Sequence, residues 1–391
     1  MTYYRRAGDI PRKRHTVFRD ANGDRLFEEL MGTHGFSGAS SLLYHRRSPS
    51  ALVGIDTTPD VSALSRANFP LSPLHFLTNN IDVGDDVVSS RVVLLANKDV
   101  SLSLAGGASP SPLFRDAIGD QVVFVHQGHA RFESIFGALD VGPGDYVVIP
   151  TSTTHRWVPT SSEPLRCFVI AAAGHIGLPA KYLTPTGQLL EGAPYCERDL
   201  RAPSEPLVVD DAELEQPTDV IVQTRSGRTV LHNATHPFDV VGWDGALYPY
   251  ALSIHDFEPI VGSLHQPPPV HQTFAGPGFV ICSFVPRLLD FHPDAVKIPY
   301  HHANVDSDEV LFYADGDFTS RAGSGVAVGS ITLHPAGFVH GPQPGSWEAS
   351  VDAVRTDELA VMVDTFAPLL VSDDAHAVTA QDYPTSWSRK N

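Results

Sequence analysis

The chain has 391 residues, 42% hydrophobic and 18% charged, with 31 Gly and 32 Pro, which is more than one core usually serves and suits many short strands joined by tight turns. Its formal net charge of −18 repels phosphate backbones and anionic lipid, so neither nucleic acid nor a membrane surface is expected as a partner. The three cysteines, Cys167, Cys196 and Cys282, are far apart and odd in number, which fits a reducing compartment and no disulfide framework.

The basic start, M-T-Y-Y-R-R-A-G-D-I-P-R-K-R-H, lacks the apolar run of a signal peptide. No stretch of about 20 apolar residues follows that could span a bilayer, and a soluble cytoplasmic protein is expected. Residues 19–31 place Leu26, Phe27, Leu30 and Met31 near helical spacing, which predicts a helix. From 87 to 104 the pattern turns alternating and β-branched, predicting two strands around a turn at 97–99. Residues 119–172 continue with four short apolar runs separated by Gly and Pro, the pattern of an antiparallel barrel or jelly roll. The stretch 178–217 is rich in Pro, Gly and acid and reads as a long surface excursion. A second β region runs from 240 to 371.

The second region echoes the first, as an internal repeat does. His302, Asn304, Glu309 and Gly316 form one half-motif, and Gly329, Pro335, Gly337 and His340 the other, the two-part spacing of a cupin barrel. In the first copy Gln121 and Gly128 repeat the step from Glu309 to Gly316, and Gly144, Pro150, Ser152 and His155 repeat the later spacing. Phe114, Asp116 and Gln121 take the places of His302, Asn304 and Glu309. One imidazole does not hold a metal, so the first barrel reads as metal-free. The expected fold is mainly β, a bicupin of two jelly-roll barrels. Residues 1–250 would form an N-terminal domain with the degenerate barrel at 87–172, and 251–391 the catalytic barrel.

Two histidines and a carboxylate can occupy one face of a divalent ion and leave the other positions open. Residues two apart on a strand share a face, so His302, Glu309 and His340 can converge once turns return their strands. Asp308 lies one residue out of register and points to the opposite face, as His301 does relative to His302. This donor set could hold Zn, Mn or Ni as well as Fe.

The runs H-P-F-D-V-V-G-W-D-G-A-L-Y-P-Y (236–250), F-V-P-R (284–287), P-Y-H-H-A-N with S-D-E (299–309) and H-G-P (340–342) resemble the homogentisate 1,2-dioxygenase family, mostly over the second half of the chain. The resemblance implies Fe(II) on His302, Glu309 and His340, and a reaction with O2 that opens the ring of homogentisate, a small aromatic substrate, to maleylacetoacetate in tyrosine and phenylalanine degradation. It implies that His265, in L-H-Q-P-P-P-V-H, takes the phenolic proton, with His271 a second candidate, since a phenol ionises only near pH 10 and binds a metal best deprotonated. His301 and His334 would face substrate or oxygen, and Arg287 or Arg321 could hold a substrate carboxylate through both oxygens. It also implies a homo-oligomer, a trimer or hexamer. Phe318 stands where animal members have a substrate-contacting tyrosine, and the stretch from His302 to Glu309 is one residue longer than theirs. The lost hydroxyl removes a hydrogen bond, which keeps gentisate or another hydroquinone open as substrate. A non-catalytic metal-binding bicupin is the reading of another class.

Overall fold

The strand Gln121–Gln127 (Q-V-V-F-V-H-Q) is apolar on both faces because both are covered. Val123 and Val125 point into a first barrel, while Val122 and Phe124 point out against a second. The computed structural model describes residues 3–58, 65–262 and 268–388.

The first barrel is two facing sheets, antiparallel except where 218–224 runs parallel to 113–116. One runs, edge to edge, through 250–253, 145–149, 121–127, 165–172, 100–107, 92–96, 370–372 and 65–67, and the other through 137–141, 130–134, 155–159, 113–116, 218–224, 227–233 and 52–58. Phe114, Phe132, Val147, Trp157, Cys167 and Val169 fill the space between them. The second barrel is built on a six-stranded sheet, 272–276, 279–284, 359–365, 308–315, 331–334 and 74–76. On its inner side Cys282, Leu311, Tyr313, Phe318 and Met362 cluster. Its outer side lies on the first barrel, where Phe312 stacks on Phe168 with ring centroids 5.2 Å apart. Strands are exchanged across the pair: 74–76 edges the second barrel, and 250–253 and 370–372 join the first.

The double-barrel architecture is that of a bicupin, mainly β. Within 119–172 there are six strands rather than four, because Gly137 turns 130–134 back into 137–141 and a further strand occupies 155–159. The stretch 178–217 carries only short helical turns. The helix predicted over 19–31 does not form. The Asp20 carboxylate accepts the N–H groups of Asn22 and Asp24, closing a tight turn inside the stretch, and Phe27–Gly32 then pairs as a strand with Ser40–His45. Side-chain capture of nearby N–H groups competes with helix formation. The turn at 97–99 forms as expected, with Asn97 Oδ1 accepting from Asp99 and Val100, but its first strand is Val92–Ala96. Among the described residues no helix is long and apolar enough to cross a membrane.

Candidate metal centre

His302 and His340 are joined through their backbones: His302 N–H donates to His340 O at 2.8 Å and His340 N–H to His302 O at 2.9 Å. Residues opposed in this way point to the same side, and their rings lie 4.3 Å apart. Glu309 reaches them from the strand Asp308–Asp315, directly opposite His334. Asp308, its neighbour, faces away and anchors loops, its two oxygens accepting from Ala336 N–H and Leu369 N–H at 2.9 and 2.8 Å. The strand register thus separates the candidate ligand from the structural acid.

Possible ligand atoms of His302, Glu309 and His340 all lie within 4.8 Å of one another. His302 Nε2 is 3.7 Å from Glu309 Oε2, and His340 Nε2 is 3.2 Å from Glu309 Oε1. Each ring is fixed by a carbonyl two residues back, His302 Nδ1 on Tyr300 O at 3.0 Å and His340 Nδ1 on Phe338 O at 3.1 Å. A carbonyl can only accept, so both Nδ1 atoms carry the proton and both Nε2 atoms offer a lone pair inward. Among the described residues His340 Nε2 is buried without a hydrogen-bond partner. Burial works to raise the Glu309 carboxyl, but the His302 and His340 rings beside it and the N–H that His334 donates to it hold it well below the usual carboxylate range. Two inward lone pairs, an ionised carboxylate and an orphaned buried nitrogen fit a divalent cation.

His334 was expected against substrate, and the structure turns it elsewhere. It is fully buried, its Nδ1–H donates to Glu309 Oε1 at 2.8 Å, and its Nε2 accepts from the Tyr383 hydroxyl at 2.9 Å. With both nitrogens engaged it orients the carboxylate. Asn304 Nδ2 donates to the other Glu309 oxygen at 3.4 Å. Gly341 O, next to His340, accepts from Arg321 Nη1 at 2.8 Å and Trp387 Nε1 at 3.0 Å. Arg321 also donates to the Tyr313 hydroxyl, so it braces the ligand loop rather than standing free for a substrate carboxylate. Tyr383 and Trp387 were not foreseen. They lie more than forty residues beyond His340 with no motif around them, so only the folded chain brings them to it.

The remaining candidates lie around this centre. His301 is exposed on the opposite side of its segment, against Gly341, where a Cβ would come within 2.6 Å of its Nδ1. Phe318 is buried edge-on to Tyr313, centroids 4.8 Å apart, as part of the inner wall. Arg287 is paired with Glu358 at 3.6 Å, donates to Val285 O and lies over the Phe284 ring, a structural engagement. His271 packs on Phe284 at 4.5 Å with Nδ1 buried and unpartnered among the described residues, and burial pushes its ring down to about 3. His265 lies outside the described residues.

Strand register aligns the first barrel residue by residue. Phe114 pairs with His155 as His302 does with His340, and Gln121 faces Ile149 as Glu309 faces His334. His155 keeps the same ring lock, Nδ1 on Thr153 O at 2.9 Å. Ser152 and Gly337, three residues before each histidine, both adopt positive φ, 65° and 76°, the left-handed turn that returns the strand. Phe114 and Phe132 crowd His155 at 5.7 and 5.2 Å, and burial pushes its ring down to about 4.

The sequence profile of a homogentisate 1,2-dioxygenase N-terminal region matches residues 101–254. A Saccharolobus solfataricus protein, described only provisionally as a dioxygenase, is 39% identical over 391 residues, 99% of each chain. Homogentisate 1,2-dioxygenases of Bradyrhizobium diazoefficiens and Emericella nidulans are 27% and 28% identical over 70% and 69% of this chain, covering 62% and 59% of their own lengths. The chain thus spans less than two thirds of those two relatives. Among solved structures, a cupin 2 conserved barrel domain protein of Leptotrichia buccalis aligns over 76% of this chain and 97% of its own with a TM-score of 0.32 and 10% identity.

Proposed function

Because the chain belongs to the homogentisate 1,2-dioxygenase family, we propose that it is an Fe(II)-dependent dioxygenase that opens the ring of a hydroquinone, homogentisate first among the substrates to test. The observation that carries this reading is the convergence of two inward Nε2 lone pairs and one carboxylate within 4.8 Å. A ferrous ion held there by His302, Glu309 and His340 would supply redox chemistry between an electron-rich ring and dioxygen.

The protein's own part is holding and shaping. His334 and Asn304 fix the two oxygens of Glu309, and Arg321 and Trp387 fix the loop behind His340. The apolar wall of Leu311, Phe318 and Met362 suits the flat face of an aromatic ring and keeps water from it. A base near the phenol completes the reading, for which His265 is the first candidate and His271 the second. Phe318 offers no hydroxyl to a ring substituent, which is why gentisate and unsubstituted hydroquinone belong in the same assay.

The test is to load metal-free protein with Fe(II) anaerobically, admit oxygen, and follow its uptake with homogentisate, gentisate and hydroquinone while identifying products. Uptake of one O2 per ring opened, with both atoms in the product, is expected. No uptake with any of the three overturns the enzymatic reading in favour of a metal-binding bicupin without turnover.

A further inference from the structure

Glu309 has two cross-strand neighbours on the inner face, and only one of them serves it. On one side stands His334, committed through both nitrogens. On the other, in the strand Leu359–Thr365, stands Asp364. Directly opposed residues of an antiparallel pair share a face, so Asp364 points into the same barrel. Among the described residues its Oδ1 is buried with no hydrogen-bond partner, while the residue as a whole remains partly open. A buried polar atom left unpaired in a native fold calls for an explanation, and a ligand is one.

The first barrel supplies an internal comparison. At the register position of Asp364, opposite Gln121, it has Ala171. Five polar side chains of the second barrel at and around Glu309 stand where the first barrel has other residues: His302 for Phe114, Asn304 for Asp116, Glu309 for Gln121, His334 for Ile149 and Asp364 for Ala171. Four of the five are explained by ligation or by hydrogen bonds to Glu309. Asp364 is the one left over, and its oxygens fall outside the cluster of possible ligand atoms.

We propose that Asp364 binds substrate, accepting a hydrogen bond from the ring hydroxyl that is not on the metal. This rests on the functional reading above and specifies how the ring lies. Val280 sits opposite Asp364, with Cys282 and Met362 one step along the same face, so the acid is set beside an apolar wall suited to a ring. The Glu309 carboxylate stands directly across the strand pair, so an anionic arm of the ligand points away and an uncharged O–H donor faces the acid.

The test uses full-length protein loaded anaerobically with Co(II), and equilibrium binding of two probes, hydroquinone and 4-methoxyphenol, the second lacking the O–H in question. Asp364→Ala, which reproduces the first barrel's residue, should leave Co(II) affinity within about twofold and weaken hydroquinone about tenfold or more, with 4-methoxyphenol unchanged. Asp364→Asn, which keeps a carbonyl oxygen, should recover part of the loss. A tenfold or greater fall in Co(II) affinity, equal weakening of both probes, or variants that bind like the wild type would each overturn the assignment alone. Wild-type protein that binds neither probe overturns the functional reading, and this assignment with it.

Discussion

His302 and His340 are held together by main chain alone, their reciprocal N–H to carbonyl bonds at 2.8 and 2.9 Å closing an isolated antiparallel bridge. Neither imidazole is needed for that bridge. His340→Ala should therefore leave the β circular-dichroism spectrum unchanged while reducing metal retention after dialysis to background, and Glu309→Gln should do the same by removing the anionic donor. Full metal occupancy in His340→Ala, measured by elemental analysis, would show that the ion sits elsewhere.

Tyr383 donates to His334, which donates to Glu309, so a hydroxyl at the far end of the chain sets the angle of a candidate ligand. Tyr383→Phe keeps the ring and leaves a buried nitrogen unpaired, at a cost of about 1–2 kcal/mol. Metal affinity should fall about tenfold, the usual consequence of losing an outer partner of a ligand. Titration with Co(II) measures the affinity, and the Co(II) absorption bands report whether the geometry changed. An unchanged affinity and spectrum would mean that Glu309 is held without the tyrosine.

The triad was legible because its spacing is local to two hairpins, with Gly316, Gly329, Pro335 and Gly337 marking the turns. Asp308 and Glu309 were separable because a one-residue slip changes face. The roles of His334 and Arg321 were not legible, since a histidine in a strand or an arginine in a short helical turn gives no sign of which partner it will meet. The run P-F-D-V-V-G-W is a different case. It carries much of the family resemblance, yet Trp243 Nε1 donates to Phe136 O at 2.7 Å, tying a separate four-stranded sheet of 5–8, 240–245, 40–45 and 27–32 to the first barrel, and Asp239 Oδ1 lies 2.6 Å from His45 Nδ1 at neighbouring strands of that sheet. Family identity was read there from structural residues, and the helix over 19–31 failed because periodicity could not weigh the Asp20 turn against it.

Phe312 is one of the residues through which the two barrels meet, stacked on Phe168 and edge-on to Phe124 and His126. It is fully buried on the outer face of the strand that carries Glu309. Phe312→Ala should cost about 3–5 kcal/mol through lost transfer energy and an unfilled cavity. The thermal midpoint should drop, and metal affinity with it, because the strand bearing Glu309 loses its backing. A lowered midpoint with unchanged metal affinity would show that the second barrel holds its site without the first.

His45 lies between two carboxylates, Nδ1 at 2.6 Å from Asp239 and Nε2 at 2.9 Å from Glu29. Burial works against its charge, but hydrogen bonds to Asp239 and Glu29 outweigh that and push the ring up to about 9. A histidine raised in the folded state gives stability that is fully present below its unfolded value, near 6.5, and lost as pH climbs through the folded value. The thermal midpoint should therefore decline between about pH 6.5 and 9, with the steepest loss near the middle of that window. His45→Gln, which keeps hydrogen-bonding capacity but cannot ionise, should lower the midpoint at pH 6 and flatten its dependence across the same range. If the variant declines in parallel with the wild type, the alkaline loss arises in other groups and the Asp239–His45–Glu29 array is neutral when folded.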